Sequence, residues 1–224
     1  MFKKITFIAI SALIISAGIL SATEFNLGIS GTKHFKINNV VGPNELKFKS
    51  SAPLEEIVGY VEKDVISGKI NFDPSNIESA SGVISFKVKG MRTGIKTRDK
   101  HLFSDDWLHG EKYPDIKFEL KKIKDVKVKS TSDAKAVAKG TAVGTYSMHG
   151  ESKEINVPVE MIYIPESAKT KERANGDFLN VQGEFEVALA DFNVEGAKGI
   201  VGSKVGEVIQ VSFNVFMNSG HGKS

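Results

Sequence analysis

No cysteine occurs among the 224 residues, so the chain has no disulfide framework, no thiol nucleophile and no thiolate metal ligand. Stability must come from an apolar core, which a chain of this length can build unaided. Long apolar runs are just as scarce. One extends from Ile5 to Leu20, behind Lys3 and Lys4 and ahead of the small residues Ser21 and Ala22. That is the layout of a secretory signal peptide, and its sixteen apolar-rich residues, broken by Thr6, Ser11 and Ser16, fall short of the roughly 20 that span a bilayer. Residues 1–22 are therefore expected to be removed, leaving a soluble periplasmic or secreted protein. No cysteine follows the cleavage region to accept a lipid.

An excess of one charge is also missing. Losing Lys3 and Lys4 leaves 28 Lys+Arg against 27 Asp+Glu, so the net charge falls from +3 to +1. Lysines are spread along the chain in alternation with apolar residues, which does not suit a nucleic-acid partner. Reaction signatures are absent as well: there is no Gly-x-Ser-x-Gly elbow and no His-Glu-x-x-His, and glycine-rich Gly196 to Gly206 lacks the strand, loop and helix setting of a phosphate cradle. The expectation is a protein that is not an enzyme and carries no cofactor.

What is abundant is period-two alternation from Leu46 to Met217, the pattern of strands with one buried face. Ile84, Phe86 and Val88 share a face, as do Ile116, Phe118 and Leu120. Longer runs are Ile155 to Tyr163, Leu179 to Leu189 and Ile209 to Met217. Shorter candidates lie at Glu45 to Ser50, Leu54 to Val61, Val65 to Phe72 and Lys135 to Tyr146. Turns are expected at Ser67-Gly68, Asp73-Pro74, Ser81-Gly82, His149-Gly150 and Asn175-Gly176. The sum is an antiparallel meander of about eight or nine strands.

From Thr93 to Leu108 the alternation lapses, and Ile95, Leu102, Phe103 and Trp107 recur at near-helical spacing. One or two short helices are expected there, capped by Thr93 or Thr97 and by Ser104 or Asp105, closing one mouth of a barrel. Closure of the sheet removes both of its edges, but at eight strands the interior can be solid or hold one ligand. Small residues of one parity, Ala136, Ala138, Ala142 and Gly144, together with Gly183, favour a hollow interior, although they would equally suit barrel bends. The expected division is a signal peptide at 1–22, an N-terminal segment at 23–44, one barrel domain at 45–217 and a polar tail at 218–224.

The segment Arg98-Asp99-Lys100-His101-Leu102-Phe103-Ser104-Asp105-Asp106-Trp107-Leu108, followed by Tyr113-Pro114-Asp115-Ile116-Lys117-Phe118, resembles the signature of the YceI-like family. Gly68 to Pro74, Gly144 to Val159 and Val205 to Val208 resemble its flanking pieces. The resemblance implies an all-β fold, an extended antiparallel lipocalin-like β-barrel with one or two short helices near one end. It further implies an internal pocket for a polyisoprenoid, quinone-like or other long-chain amphiphile. One departure is Leu189-Ala190-Asp191-Phe192-Asn193, where the family commonly has Arg-x-Asp-Phe-Gly; it bears on the head-group preference.

Candidate ligand contacts are the apolar Phe48, Phe72, Phe86, Leu102, Phe103, Trp107, Phe118, Phe185, Phe192 and Phe213, and the polar Arg98 and His101 at the pocket mouth. Arg98 and Asp99 could instead tie the helical segment to the barrel. His101, Asp105, Asp106 and His109 have metal-ligand chemistry, but their two histidines lie eight apart, and no metal is expected. The reading is lipid binding, storage or transport; a prenyl-processing or fatty-substrate enzyme and a solid-core interaction protein are the alternatives. A homodimer is compatible with the sequence, which does not fix the oligomeric state.

Overall fold

A computed structural model describes residues 22–220. The expected signal peptide, apart from Ala22, lies outside the described residues, as do the last four residues of the tail. No helix among the described residues is long and apolar enough to cross a membrane.

The described residues form eleven strands and two short α-helices. They run β1 (Lys33–Ile37), β2 (Glu45–Ser51), β3 (Glu56–Val61), β4 (Ile66–Asp73), β5 (Asn76–Lys87), β6 (Met91–Arg92), α1 (Lys96–Phe103), β7 (Asp115–Ser132), β8 (Lys135–Met148), β9 (Glu151–Ile164), α2 (Ala168–Lys171), β10 (Phe178–Ala188) and β11 (Val208–Asn218). Eight of them close an antiparallel barrel in the order β1, β4, β5, β7, β8, β9, β10, β11. The closing rungs are Lys36 to Asn218 and Ile37 to Met217.

This is more than a meander, because β11 is shared. Its C-terminal end pairs with β1, while Ile209 to Asn214 pair with β2. From there β3 and β6 continue the sheet, and β6 follows β5 through a tight turn at Val88–Gly90. The barrel is thereby lengthened at the end that carries α1. Strand β1 falls within the segment read from sequence as lead-in, and it is a stave of the barrel.

Alternation places the apolar set inside. Along β9, Val157, Val159, Met161 and Tyr163 are buried; across from it Ala136, Ala138, Ala142, Tyr146 and Met148 of β8 are buried as well. His149 and Gly150, at φ +53° and +84°, make the two-residue turn between these strands that sequence predicted. Asp73 accepts from Ser75 N–H at 2.8 Å and from Ser75 Oγ at 2.6 Å, which fixes the predicted turn between β4 and β5.

Two predicted turns are corrected. Ser67-Gly68 and Ser81-Gly82 lie inside β4 and β5, whose rungs include Gly68 to Ile84 and Ile70 to Gly82. Glycine serves close approach there: a Cβ on Gly82 would stand 2.1 Å from the Lys69 carbonyl. The room expected beside Gly144 and Gly183 is also taken. A Cβ on Gly144 would meet the Glu119 carbonyl at 2.3 Å and the Phe118 ring at 2.6 Å, and one on Gly183 would meet the Pro158 carbonyl at 2.5 Å. Gly144→Val is accordingly expected to lower the unfolding free energy by about 2 kcal/mol, measured by urea titration, since overpacking against backbone cannot relax cheaply. An unchanged midpoint would show that the ladder yields there.

One end of the barrel is sealed. Phe25, Phe35, Phe72 and Tyr163 are at most 1% exposed, with ring centroids 5.9 to 6.2 Å apart. Phe25 arrives from the N-terminal segment, which is held by Phe25 N–H to the Pro74 carbonyl at 2.9 Å and by the Thr131 hydroxyl to the Phe25 carbonyl at 2.9 Å. Behind the rings, the Tyr163 hydroxyl donates to Asp177, which also pairs with Lys33 of β1. The segment lies beside the outer half of β7, Lys121 to Ser132, which has no rung to β5. Five lysines and three register shifts along that half discourage pairing with another chain.

Candidate functional site

The other end opens into a cavity of about 350 Å³. Its walls come from alternate residues of the strands: Leu46 and Phe48, Ile57, Phe86, Met91, Ile116, Tyr146 and Met148, Val187, Ile209 and Val211. The roof is the α1 segment, contributing Ile95, Leu102, Trp107 and Leu108, together with Leu189, Val194, Ile200 and Val205 from the long connection between β10 and β11. Polar groups sit chiefly around the opening: Glu55, Thr93, Thr97, Arg98, His101 and Lys204.

α1 is short and has no buried residue of its own, so side chains must hold it in place. The expected caps are corrected: neither Thr93 nor Thr97 caps its start, where Ile95 stands without a side-chain cap. Instead Asp99 reaches back from the first turn and accepts from Thr93 N–H and from the Thr93 hydroxyl, both at 2.7 Å. Arg98 forms an ion pair with Glu55 of the β2–β3 turn. Both residues thus tie the helical segment to the barrel, and Arg98 also faces the opening. The ring of Trp107 packs over Gly196, whose φ is +65°; a Cβ there would lie 2.7 Å from it.

A second cavity of about 100 Å³ lies deeper, lined by Ile70, Phe72, Ala80, Leu120, Ala142, Val157, Met161, Leu179, Phe185, Phe213 and their neighbours. Leu46, Phe86, Ile116, Tyr146 and Val211 line both cavities and form the neck between them. Phe72 is the one ring of the sealing cluster that faces the deeper chamber. The site is thus a two-chamber apolar tube, open at α1 and stopped by aromatic rings. Each methylene buried in such a space contributes about 0.8 kcal/mol.

Of the residues singled out from sequence, Phe48, Phe86, Arg98, His101, Leu102 and Trp107 line the outer chamber, and Phe72, Phe86, Phe118, Phe185 and Phe213 line the inner one. Phe103 and Phe192 line neither. Phe103 packs over Gly110, and Phe192 is 2% exposed and stands edge-on to Tyr146 at 5.5 Å. Sequence reasoning missed Tyr146 and Leu189 as cavity residues, although Tyr146 keeps the inward parity of β8 and Leu189 continues that of β10 one residue past its end. Leu189, in place of the family's Arg, makes this wall apolar. Asn193, in place of the family's Gly, holds φ +53° at the end of a short 3-10 turn and donates to Glu151 at 2.9 Å. The departure therefore preserves the bend and removes a charge from the cavity wall.

Asp105 and His109 approach each other at 3.4 Å, and no group of three or more potential ligands among the described residues is placed to hold a metal. The Tyr146 phenol is 5% exposed, and burial pushes its pKa well above the ordinary value.

A family model of the YceI-like domain matches residues 32–217. Among curated proteins, a UPF0312 protein of Pseudomonas putida is 24% identical over 194 residues, covering 87% of this chain and 88% of that one. Among solved structures, BcnA of Burkholderia cenocepacia superposes with a TM-score of 0.58 at 19% identity, covering 77% of this chain and 95% of the other. A structure described as a polyisoprenoid binding domain from Saccharophagus degradans implicated in plant cell wall breakdown gives 0.57 at 16% identity, covering 83% and 98%. At these identities the structural likeness speaks to fold.

Proposed function

The chain belongs to the YceI-like family, and from that premise we propose that it binds the apolar tail of a long-chain isoprenoid or quinone-like amphiphile in the two-chamber tube, outside the cytoplasm, without reacting with it. The observation that carries this reading is the tube itself: two apolar chambers in line, closed at one end, with polar side chains gathered chiefly at the other. A solid-core interaction protein would have filled that space. The binding named for the Saccharophagus domain points to the same ligand class. An enzyme would need a reactive group near the chambers. His101 stands at the opening, and the roles found for Arg98 and Asp99 are ties to Glu55 and Thr93.

Two measurements test this. Organic extraction of the purified protein followed by mass spectrometry is expected to yield a prenyl lipid in stoichiometric amount. Trp107 is the only tryptophan and lines the outer chamber, so adding a prenol to emptied protein is expected to shift its emission in a saturable way. An empty extract together with an unresponsive Trp107 would sink the proposal.

A further inference from the structure

The Tyr146 hydroxyl is the anomaly of the tube. Its ring is held edge-on by Phe185 and Phe192, each at 5.5 Å. The side chain is buried and lines both chambers at the neck. Among the described residues the hydroxyl donates to nothing and accepts from nothing, and burial alone accounts for the rise in its pKa. No polar side-chain atom among the described residues is both sealed from every void and unpartnered, which places this oxygen on the cavity surface. Tyr163, the comparable buried phenol at the sealed end, is satisfied by Asp177.

A hydroxyl on an otherwise apolar cavity wall can find an acceptor only in what fills the cavity, and phenylalanine would occupy the same volume without that demand. We propose that Tyr146 is a ligand-recognition residue whose hydroxyl donates to a hydrogen-bond-accepting oxygen carried within an otherwise apolar ligand and seated at the neck. The inference rests on the lipid-binding reading and narrows it. A ketone, quinone or ester oxygen fits the neck, with apolar carbon on both sides: the longer part runs through the outer chamber to α1, and the shorter lies against the chamber floored by Phe72. A carboxylate or phosphate does not fit, because no cationic side chain lines the neck to compensate it.

The probes are a branched long-chain methyl ketone and the saturated hydrocarbon of equal carbon number, each titrated against delipidated wild-type protein and Tyr146→Phe with Trp107 emission as the readout. Wild type is expected to bind the ketone about tenfold more tightly than the hydrocarbon, the size of one hydrogen bond formed in a dry site. Y146F should erase that preference and melt no lower than wild type. A preference that survives in Y146F, or is missing in wild type because a water satisfies the hydroxyl in both complexes, overturns the proposal while leaving the apolar tube as a binding site. If neither probe binds wild-type protein, the lipid-binding reading falls and this inference with it.

Discussion

Asp177→Ala is expected to lower the unfolding free energy by about 3 kcal/mol. The carboxylate is 5% exposed and joins three pieces of the sealed end: Lys33 of β1, the Tyr163 hydroxyl and the Glu166 N–H at 2.7 Å. Removing it strands a buried phenol and a partly buried ammonium; breaking a buried pair typically costs 3–5 kcal/mol, and the ability of Lys33 to turn toward water keeps the effect near the lower bound. Burial pushes the Asp177 carboxyl up, but the hydrogen bonds from Lys33, Tyr163 and Glu166 outweigh it and hold the group below the usual carboxylate range. A carboxyl depressed in the folded state stabilises fully above its unfolded pKa, about 3.9, and loses that contribution as pH falls through the lower folded value. Asp73, lowered chiefly by Ser75, acts in the same sense. Melting temperature should therefore hold nearly level from neutrality to about pH 4 and drop below it, with a shallower drop in D177A. Equal acid slopes for the two proteins, or equal stability at neutral pH, would refute the assignment.

Blocking the neck is expected to have the larger effect on binding. Val211 lines both chambers and is 8% exposed, so Val211→Trp places an indole across the passage while the outer chamber offers space for its ring. A tail confined to the outer chamber forfeits the methylenes it would have placed beyond, at about 0.8 kcal/mol each. Losing three of them weakens a long prenol by roughly two orders of magnitude and leaves a short one nearly unaffected. Competition between long and short prenols, read by mass spectrometry of the lipid retained on each protein, checks this. A uniform loss for both lengths would mean that the indole has distorted the mouth rather than shortened the tube.

The sequence displayed most of the barrel because burial on one face leaves period two wherever pairing is regular, as in β9, β10 and β11. β1 was hidden by its brevity: Lys33-His34-Phe35-Lys36-Ile37 offers one deeply buried side chain, Phe35, among polar neighbours. The outer half of β7 was hidden by its register shifts, which space Ile123, Val126 and Val128 by three and then two. Glycines at 68 and 82 read as turns because sequence does not distinguish a bend from a close approach. At the site, the Arg98 to Trp107 segment was legible as an interruption of the strand rhythm. Tyr146 was not, since an unmet hydroxyl is a property of surroundings and the alternation records only that the ring points inward. Phe192 was misplaced for a related reason: it backs the wall from outside the cavity, and a pattern of aromatics cannot tell a lining from its support.

The sharing of β11 governs how the molecule can assemble. Asn38 donates to Asn218 at 3.0 Å across 180 positions of sequence, so the ring is completed by the two extremes of the fold. Until residues 208–218 are in place, β1, β2 and β10 are each paired on one edge only, and the product is a curved open ribbon with unsatisfied margins. A protein whose decisive contacts are so remote along the chain acquires its native state slowly and all at once, and its vulnerable interval is the time before the last strand docks.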